Sequence, residues 1–238
     1  MQERKIEYTH AGVTLEAFMA WDEGISGPRP GVAIAHAWSG RSPFEENKAR
    51  ALAAQGYVGF ALDLYGKGVL GSGPEENGPL MQPFLDDRAM LQDRLLTAIG
   101  VMRDQAEVDA ARTAAIGYCF GGLCVLDVAR TGADIGGVAS FHGLLGAPGN
   151  TAGKAIPAKV LVLHGNDDPM VPVDTVVALQ QELTEAGADW QVHTYGNAMH
   201  SFTNPDANDR DFGTVYNAKA DQRSWQSLIS FLGEVFSG

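Results

Sequence analysis

One stretch, residues 113–130, limits the possible folds more than any other: Thr113-Ala-Ala-Ile-Gly-Tyr-Cys-Phe-Gly-Gly-Leu-Cys-Val-Leu-Asp-Val-Ala-Arg130. Ala114–Tyr118 is a short apolar run suited to a buried strand, and Leu123–Arg130 carries helix formers. Between them, Gly117-Tyr118-Cys119-Phe120-Gly121 has the spacing of a G-x-S-x-G elbow with cysteine at its centre. Such a turn lifts one side chain above the sheet edge at a strained backbone angle. A side chain at either glycine would collide with the neighbouring strand or helix. Cys119 would then stand at a helix N-terminus, where free N–H groups and the helix dipole favour negative charge. On these five residues alone, a core cysteine beside a glycine turn is the competing reading.

The rest of the chain supplies an α/β context. At 238 residues, with 45% hydrophobic and 19% charged, it has ample material for a core, and no shift in composition marks a linker. A single domain over residues 1–238, without a separate cap domain, is expected. Lys5–Thr9 and Val13–Met19 read as strands joined at Ala11-Gly12, and Gly31–His36 as a strand covered on both faces. Ser42–Gln55 reads as a helix with a serine cap and Pro43 in its first turn, and Tyr57–Leu62 as the next strand. Asp63–Pro83 is rich in Gly and Pro and is expected to be a long loop. Asp86–Arg103 is expected to be helical, with Leu91, Leu95, Leu96 and Ile99 on its inner face.

Beyond the elbow, strands are expected at Ile135–His142, Lys159–His164 and Trp190–Tyr195, and a helix at Asp174–Ala186. Asn197–Phe212 reads as a polar loop, and Tyr216–Phe236 as a closing helix with Trp225, Leu228, Ile229 and Leu232 inward. The alternation points to a mostly parallel sheet of about eight strands with helices on both faces.

A thiol nucleophile needs a base, and the base needs an acid to orient it. Both are present in the order nucleophile, acid, histidine, each after a strand. Asp168 lies in the loop His164-Gly-Asn-Asp-Asp-Pro-Met-Val-Pro172, and His200 lies in Met199-His-Ser-Phe202. Singly, Asp168 reads more readily as an ordinary turn residue and His200 as a solvated surface histidine; together they make a constellation. An oxyanion hole would take one N–H from Phe120, after the nucleophile, and one from Trp38, in the turn His36-Ala37-Trp38. His36, His142, His164 and His193 fall at strand positions and are read as packing or backbone-bonding residues. Cys124, within the helix after the elbow, is read as packing.

Gly117-Tyr-Cys-Phe-Gly-Gly122, Asp168-Pro169-x-Val171-Pro172 and Met199-His-Ser-Phe202 together resemble the dienelactone hydrolase family, within the α/β-hydrolase superfamily. Ala35-His-Ala-Trp-Ser-Gly40, Ala61-Leu-Asp-Leu-Tyr-Gly66, Phe202-Thr-Asn-Pro205 and the Tyr216–Trp225 stretch extend the resemblance from about Ile6 to Leu232. It implies an α/β-hydrolase fold and a hydrolase without cofactor, whose triad falls on Cys119, Asp168 and His200. The chain departs from relatives that open dienelactone at two positions. Ala37 stands where they carry a glutamate before the oxyanion-hole residue, and Asn204 where they carry an arginine for the substrate carboxylate. A neutral amide cannot reproduce a bidentate Arg–carboxylate contact, so the reaction type transfers better than the dienelactone substrate.

The expected function is hydrolysis of a small-molecule ester, lactone or thioester, in a pocket walled by Trp38, Tyr65, Phe120, Met170, Phe202 and Asn204. A net charge of -12 argues against nucleic acid or an anionic membrane as partner. No apolar stretch approaches the roughly 20 residues of a membrane span, and Met1–Lys5 does not lead into a secretory core. With Cys119 and Cys124 the only cysteines, neither a disulfide framework nor a metal site is expected, and the cytoplasm is the expected compartment. Nothing in these residues sets an oligomeric state. Two rival functions remain at this level: a non-catalytic or redox-sensing protein on the same scaffold, and an α/β-hydrolase of other specificity such as a peptidase.

Overall fold

The computed structural model describes residues 1–237 of the chain, whose eight longer strands form one mostly parallel sheet. The chain divides into two compact units, residues 1–116 and 117–238.

The first unit opens with a hairpin of β1 (Gln2–His10) and β2 (Val13–Trp21), turned at Ala11 and Gly12 with φ of 48° and 77°. Both turn residues have the positive φ that matches the twist of a two-residue hairpin, and His10 pairs directly with Val13. β3 (Arg29–Ala35) runs parallel to β4 (Val58–Ala61), and the order within the unit is β1-β2-β4-β3-β5, with β5 spanning Val108–Tyr118. β3 is buried along its whole length, as its continuous apolar run requires.

Helix α1 (Pro43–Ala53) starts with the serine cap and Pro43 expected of it, and Glu45 completes a capping box. It lies so close to β4 that a Cβ on Gly59 would stand 2.4 Å from the Ala49 carbonyl oxygen. Helix α3 (Arg88–Arg103) buries Leu91, Leu95, Ala98, Ile99 and Met102. Leu96, expected inward, is exposed, because Ala98 and Met102 complete the stripe on the other side of Leu95.

The expectation of a loop throughout Asp63–Pro83 is corrected: Pro74–Asp86 is helix α2. Pro74 occupies the first turn, where its missing N–H has no intrahelical partner to lose, and Glu75 and Glu76 favour the N-terminus. Pro79 and Pro83 lie inside the helix and weaken it. Tertiary packing compensates, with the ring of Phe84 5.5 Å from that of Tyr65 and the Arg94 guanidinium over the other side of Phe84 at 5.2 Å.

In the second unit, α4 (Phe120–Arg130) is buried at every position. Strands β6 (Gly137–Phe141), β7 (Lys159–Gly165) and β8 (Trp190–Tyr195) are parallel and consecutive, with α5 (Val173–Glu185) crossing from β7 to β8. Within the polar loop that follows, Asn208–Asp209 (β9) pairs with Thr214–Val215 (β10). Helix α6 (Ala218–Phe236) buries Leu228 and Leu232 as expected, and Phe231 joins them, while Trp225 and Ile229 are only half-buried.

Two glycines give opposite expectations for stability. Gly59→Ala should destabilise by about 1–3 kcal/mol, because backbone must move to admit the methyl. Gly100→Ala, in α3 with open space around it, should stabilise by roughly 0.5–1 kcal/mol through reduced chain entropy. Thermal denaturation of both variants checks the pair, and similar Tm shifts of one sign would refute the packing account.

Candidate active site

β5 ends at Tyr118 and α4 begins at Phe120, so the reversal falls on Cys119 alone, at φ 56° and ψ −116°. Its N–H donates to the Phe141 carbonyl at 3.0 Å, and its carbonyl accepts from the Gly122 N–H at 2.9 Å. The glycines are required by contact. A Cβ on Gly117 would stand 1.9 Å from the Gly121 carbonyl oxygen, and one on Gly122 would stand 2.6 Å from Gly143 Cα. Cys119 is partly exposed, whereas Cys124 is fully buried; neither forms a disulfide.

The turn after β7 folds Asp168 inward. Its Oδ1 accepts from the Met170 N–H at 2.9 Å, and its Oδ2 accepts from His200 Nδ1–H at 2.7 Å. Both partners of this pair are buried. Asp167 is exposed, and its carboxylate accepts from the Asn166 amide instead. The His200 backbone is held on both sides, its N–H donating to Gly213 and its carbonyl accepting from Val215. His200 Nε2 has no well-formed hydrogen-bond partner among the described residues. The Cys119 sulfur beside it acts on the ring through its charge and as a loosely aligned acceptor. Burial alone would pull the imidazole pKa down. The Cys119 charge and the Asp168 hydrogen bond outweigh it and push His200 up to about 10. The arrangement therefore favours a protonated His200 imidazole oriented by a buried carboxylate.

The other histidines differ. His164 is buried, which lowers its pKa, and His193 meets Ser227 Oγ at 3.1 Å. His142 packs edge-on against His200, with ring centroids 5.3 Å apart, and its Nε2 meets Thr203 Oγ1 at 2.8 Å. In the first unit, His36 Nδ1 donates to the Ala37 carbonyl and Nε2 accepts from the Leu64 N–H. Burial keeps that ring neutral.

Of the expected pocket walls, the Phe120 and Phe202 side chains are fully buried, while Met170 and Asn204 are half-buried. Asn204 Oδ1 accepts from the Asp206 N–H, forming a local turn. Trp38 and Tyr65 lie together in the first unit, with Tyr65 Oη donating to the Trp38 carbonyl at 2.9 Å. Their turn is fixed by Glu45, whose buried carboxylate accepts from the N–H groups of Ala37 and Ser42. Glu45 was not singled out in the sequence, where its one signal is the three-residue spacing from Ser42.

A cavity of about 590 Å³ in the second unit is lined by Arg130, Thr151, Lys154, Ile156, Glu182 and Gly187 among others, and by none of Cys119, Asp168 or His200. All the N–H groups of Arg130 are engaged, by Glu182, Asp127 and the carbonyls of Leu145 and Gly146. It is a strut, not an anchor for a ligand. Among the described residues, no group of three or more His, Cys, Asp or Glu is placed to hold a metal ion, and no helix is long and apolar enough to cross a membrane.

Because the folded-state pKa of His200 lies above the ordinary value of 6.5, its protonation stabilises the native state. That contribution is complete below about pH 6.5 and disappears as pH rises through about 10. The Tm margin of wild type over His200→Gln should therefore narrow between pH 6.5 and 10. A margin independent of pH over that interval would contradict the electrostatic assignment.

Residues 15–236 match the profile of the dienelactone hydrolase family. The chain is 27% identical over 231 residues to a putative carboxymethylenebutenolidase of Yersinia pestis, covering 92% of this chain and 84% of the relative. An uncharacterised protein of Caenorhabditis elegans is 38% identical over 160 residues, 64% of this chain and 98% of that one. Among solved structures, the dienelactone hydrolase-like promiscuous phosphotriesterase P91 from metagenomic libraries superimposes with a TM-score of 0.93 at 38% identity, covering 98% of both chains. The family match spans nearly the whole sequence and includes the elbow, the Asp168 turn and the His200 loop: the chain belongs to the dienelactone hydrolase family.

Proposed function

We propose that this chain is a cytoplasmic thiol hydrolase of small neutral esters, lactones or thioesters, with Cys119, Asp168 and His200 as its triad. The observation that carries this reading is the buried Asp168–His200 hydrogen bond beside a strained cysteine at a helix N-terminus. The Cys119 thiolate attacks the carbonyl carbon, and the Phe120 N–H receives the oxyanion. His200 then gives its Nε2 proton to the departing alcohol, leaving an acyl-thiol. In the second half the neutral imidazole takes a proton from water as the water attacks, and the C–S bond breaks. Asp168 keeps Nδ1 protonated throughout, so that Nε2 is always the atom exchanging protons.

An activated-ester, lactone and thioester panel tests the assignment. Cys119→Ala should abolish turnover with the fold intact, and iodoacetamide should label Cys119 well before the buried Cys124. Asp168→Asn should lower kcat by about 10⁴-fold, while Asp167→Asn should be mild. Wild-type turnover in Cys119→Ala, or equal losses at the two aspartates, would refute the roles.

Substrate charge follows from Asn204 and the net charge of -12. Lacking one charge-assisted contact, a carboxylated lactone should lose about 10–100-fold in kcat/KM against its neutral ester. Asn204→Arg should recover the carboxylated substrate selectively. A wild-type preference for the carboxylate would mean that another cation serves it. The likeness to P91 favours a second reading, hydrolysis of neutral phosphotriesters, which likewise need no cation. There the thiolate would attack phosphorus and expel an aryloxide. Turnover of paraoxon lost in Cys119→Ala supports that reading, and a background rate in both proteins removes it.

A further inference from the structure

His142 was read from the sequence as a packing or backbone-bonding residue at a strand position, and its surroundings give it more to do. It lies one residue past β6, in the left-handed region at φ 38°, which few residues other than glycine adopt. Five contacts, shared among them, join it to the three segments that carry the candidate triad members. Its N–H donates to the Leu163 carbonyl at 2.8 Å, on the strand leading to Asp168. Its ring lies 6.0 Å from that of Tyr118, the residue before Cys119. Its Nε2 meets Thr203 Oγ1, in the loop of His200. Finally, it stands edge-on to the rings of His200, at 5.3 Å and 63°, and Phe202, at 5.0 Å and 82°.

The His200 ring pivots about its Cα–Cβ and Cβ–Cγ bonds, and its one well-formed hydrogen bond, at Nδ1, still allows the ring plane to rock. Such rocking would swing Nε2 away from Cys119 without breaking the Asp168 bond. The His142 ring obstructs that motion, and the Thr203 bond fixes the His142 ring in turn. We infer that His142 is a positioning residue for the base, setting the plane of the His200 ring so that Nε2 stays directed at Cys119. This rests on the function proposed above. It predicts a loss in proton transfer with little change in substrate binding, since His142 is buried.

The test compares His142→Leu, which removes the ring and its bond to Thr203, with His142→Phe, which restores a ring. Three measurements apply: kcat and KM on a neutral activated ester, the rate of Cys119 alkylation by iodoacetamide, and Tm. His142→Leu should lower kcat and alkylation by about tenfold or more, as displacement of a reacting group does, with KM changed less than about threefold. His142→Phe, which restores the ring but not its bond to Thr203, should recover part of both losses. Alkylation requires no turnover, so it reports on the His200–Cys119 geometry even if the esterase reading fails. Folded His142→Leu protein with wild-type kcat and alkylation overturns the inference, as does a Phe variant no better than Leu. If His142→Leu does not fold, Thr203→Val decides: a fall in kcat and alkylation at constant KM supports the role, and unchanged values overturn it.

Discussion

At Cys119 the chain turns from strand to helix through a backbone angle that an L-residue adopts only under constraint, and its surroundings impose that angle. The local cost is about 1–3 kcal/mol. Against it stands α4, buried at every position, in which each of Phe120, Leu123, Val125, Leu126 and Val128 contributes about 1.5–3 kcal/mol through burial. The helix position is therefore settled by packing, and the turn must follow. Gly117 and Gly122 let neighbouring backbone approach closer than any side chain would permit. At the far end, Arg130 ties the helix to Glu182 and to the carbonyls after β6.

Within that frame the Asp168–His200 pair gains its strength from the absence of water. A carboxylate–imidazolium contact at the surface would contribute little; here the Cys119 charge and the buried 2.7 Å bond to Asp168 together outweigh the cost of burial and hold a proton well beyond the ordinary histidine range. The first unit fixes its own turn at residues 36–42 in a similar manner. There a buried glutamate, a tyrosine hydroxyl and a neutral histidine between them satisfy the backbone groups around Trp38.

The elbow was legible in the sequence because its glycines are spaced by a steric requirement. The candidate acid and base were legible because each lies in a loop that follows a strand. Helix α2 was not: its two internal prolines read as breakers, and only the packing of Phe84 with Tyr65 and Arg94 overrides them. Leu96 was misplaced because a leucine pair at 95 and 96 offers two overlapping stripes, and Ala98 and Met102 decide between them. His142 carried no usable signal, since its importance comes from β6 lying beside β7 and the His200 loop, an adjacency that no local pattern encodes.

Four non-glycine residues of the second unit sit at positive φ: Cys119, His142, Asn197 and Ser201. Two of them are the candidate nucleophile and the neighbour of the candidate base, and the other two flank His200 closely in sequence. Glycine at any of these positions would relax the backbone. Selection for heat resistance alone would thus drift toward relaxed loops, and toward a well-folded protein with a slack site. Laboratory evolution of this chain for thermostability should be run with a turnover screen in every round, or with these four codons held fixed.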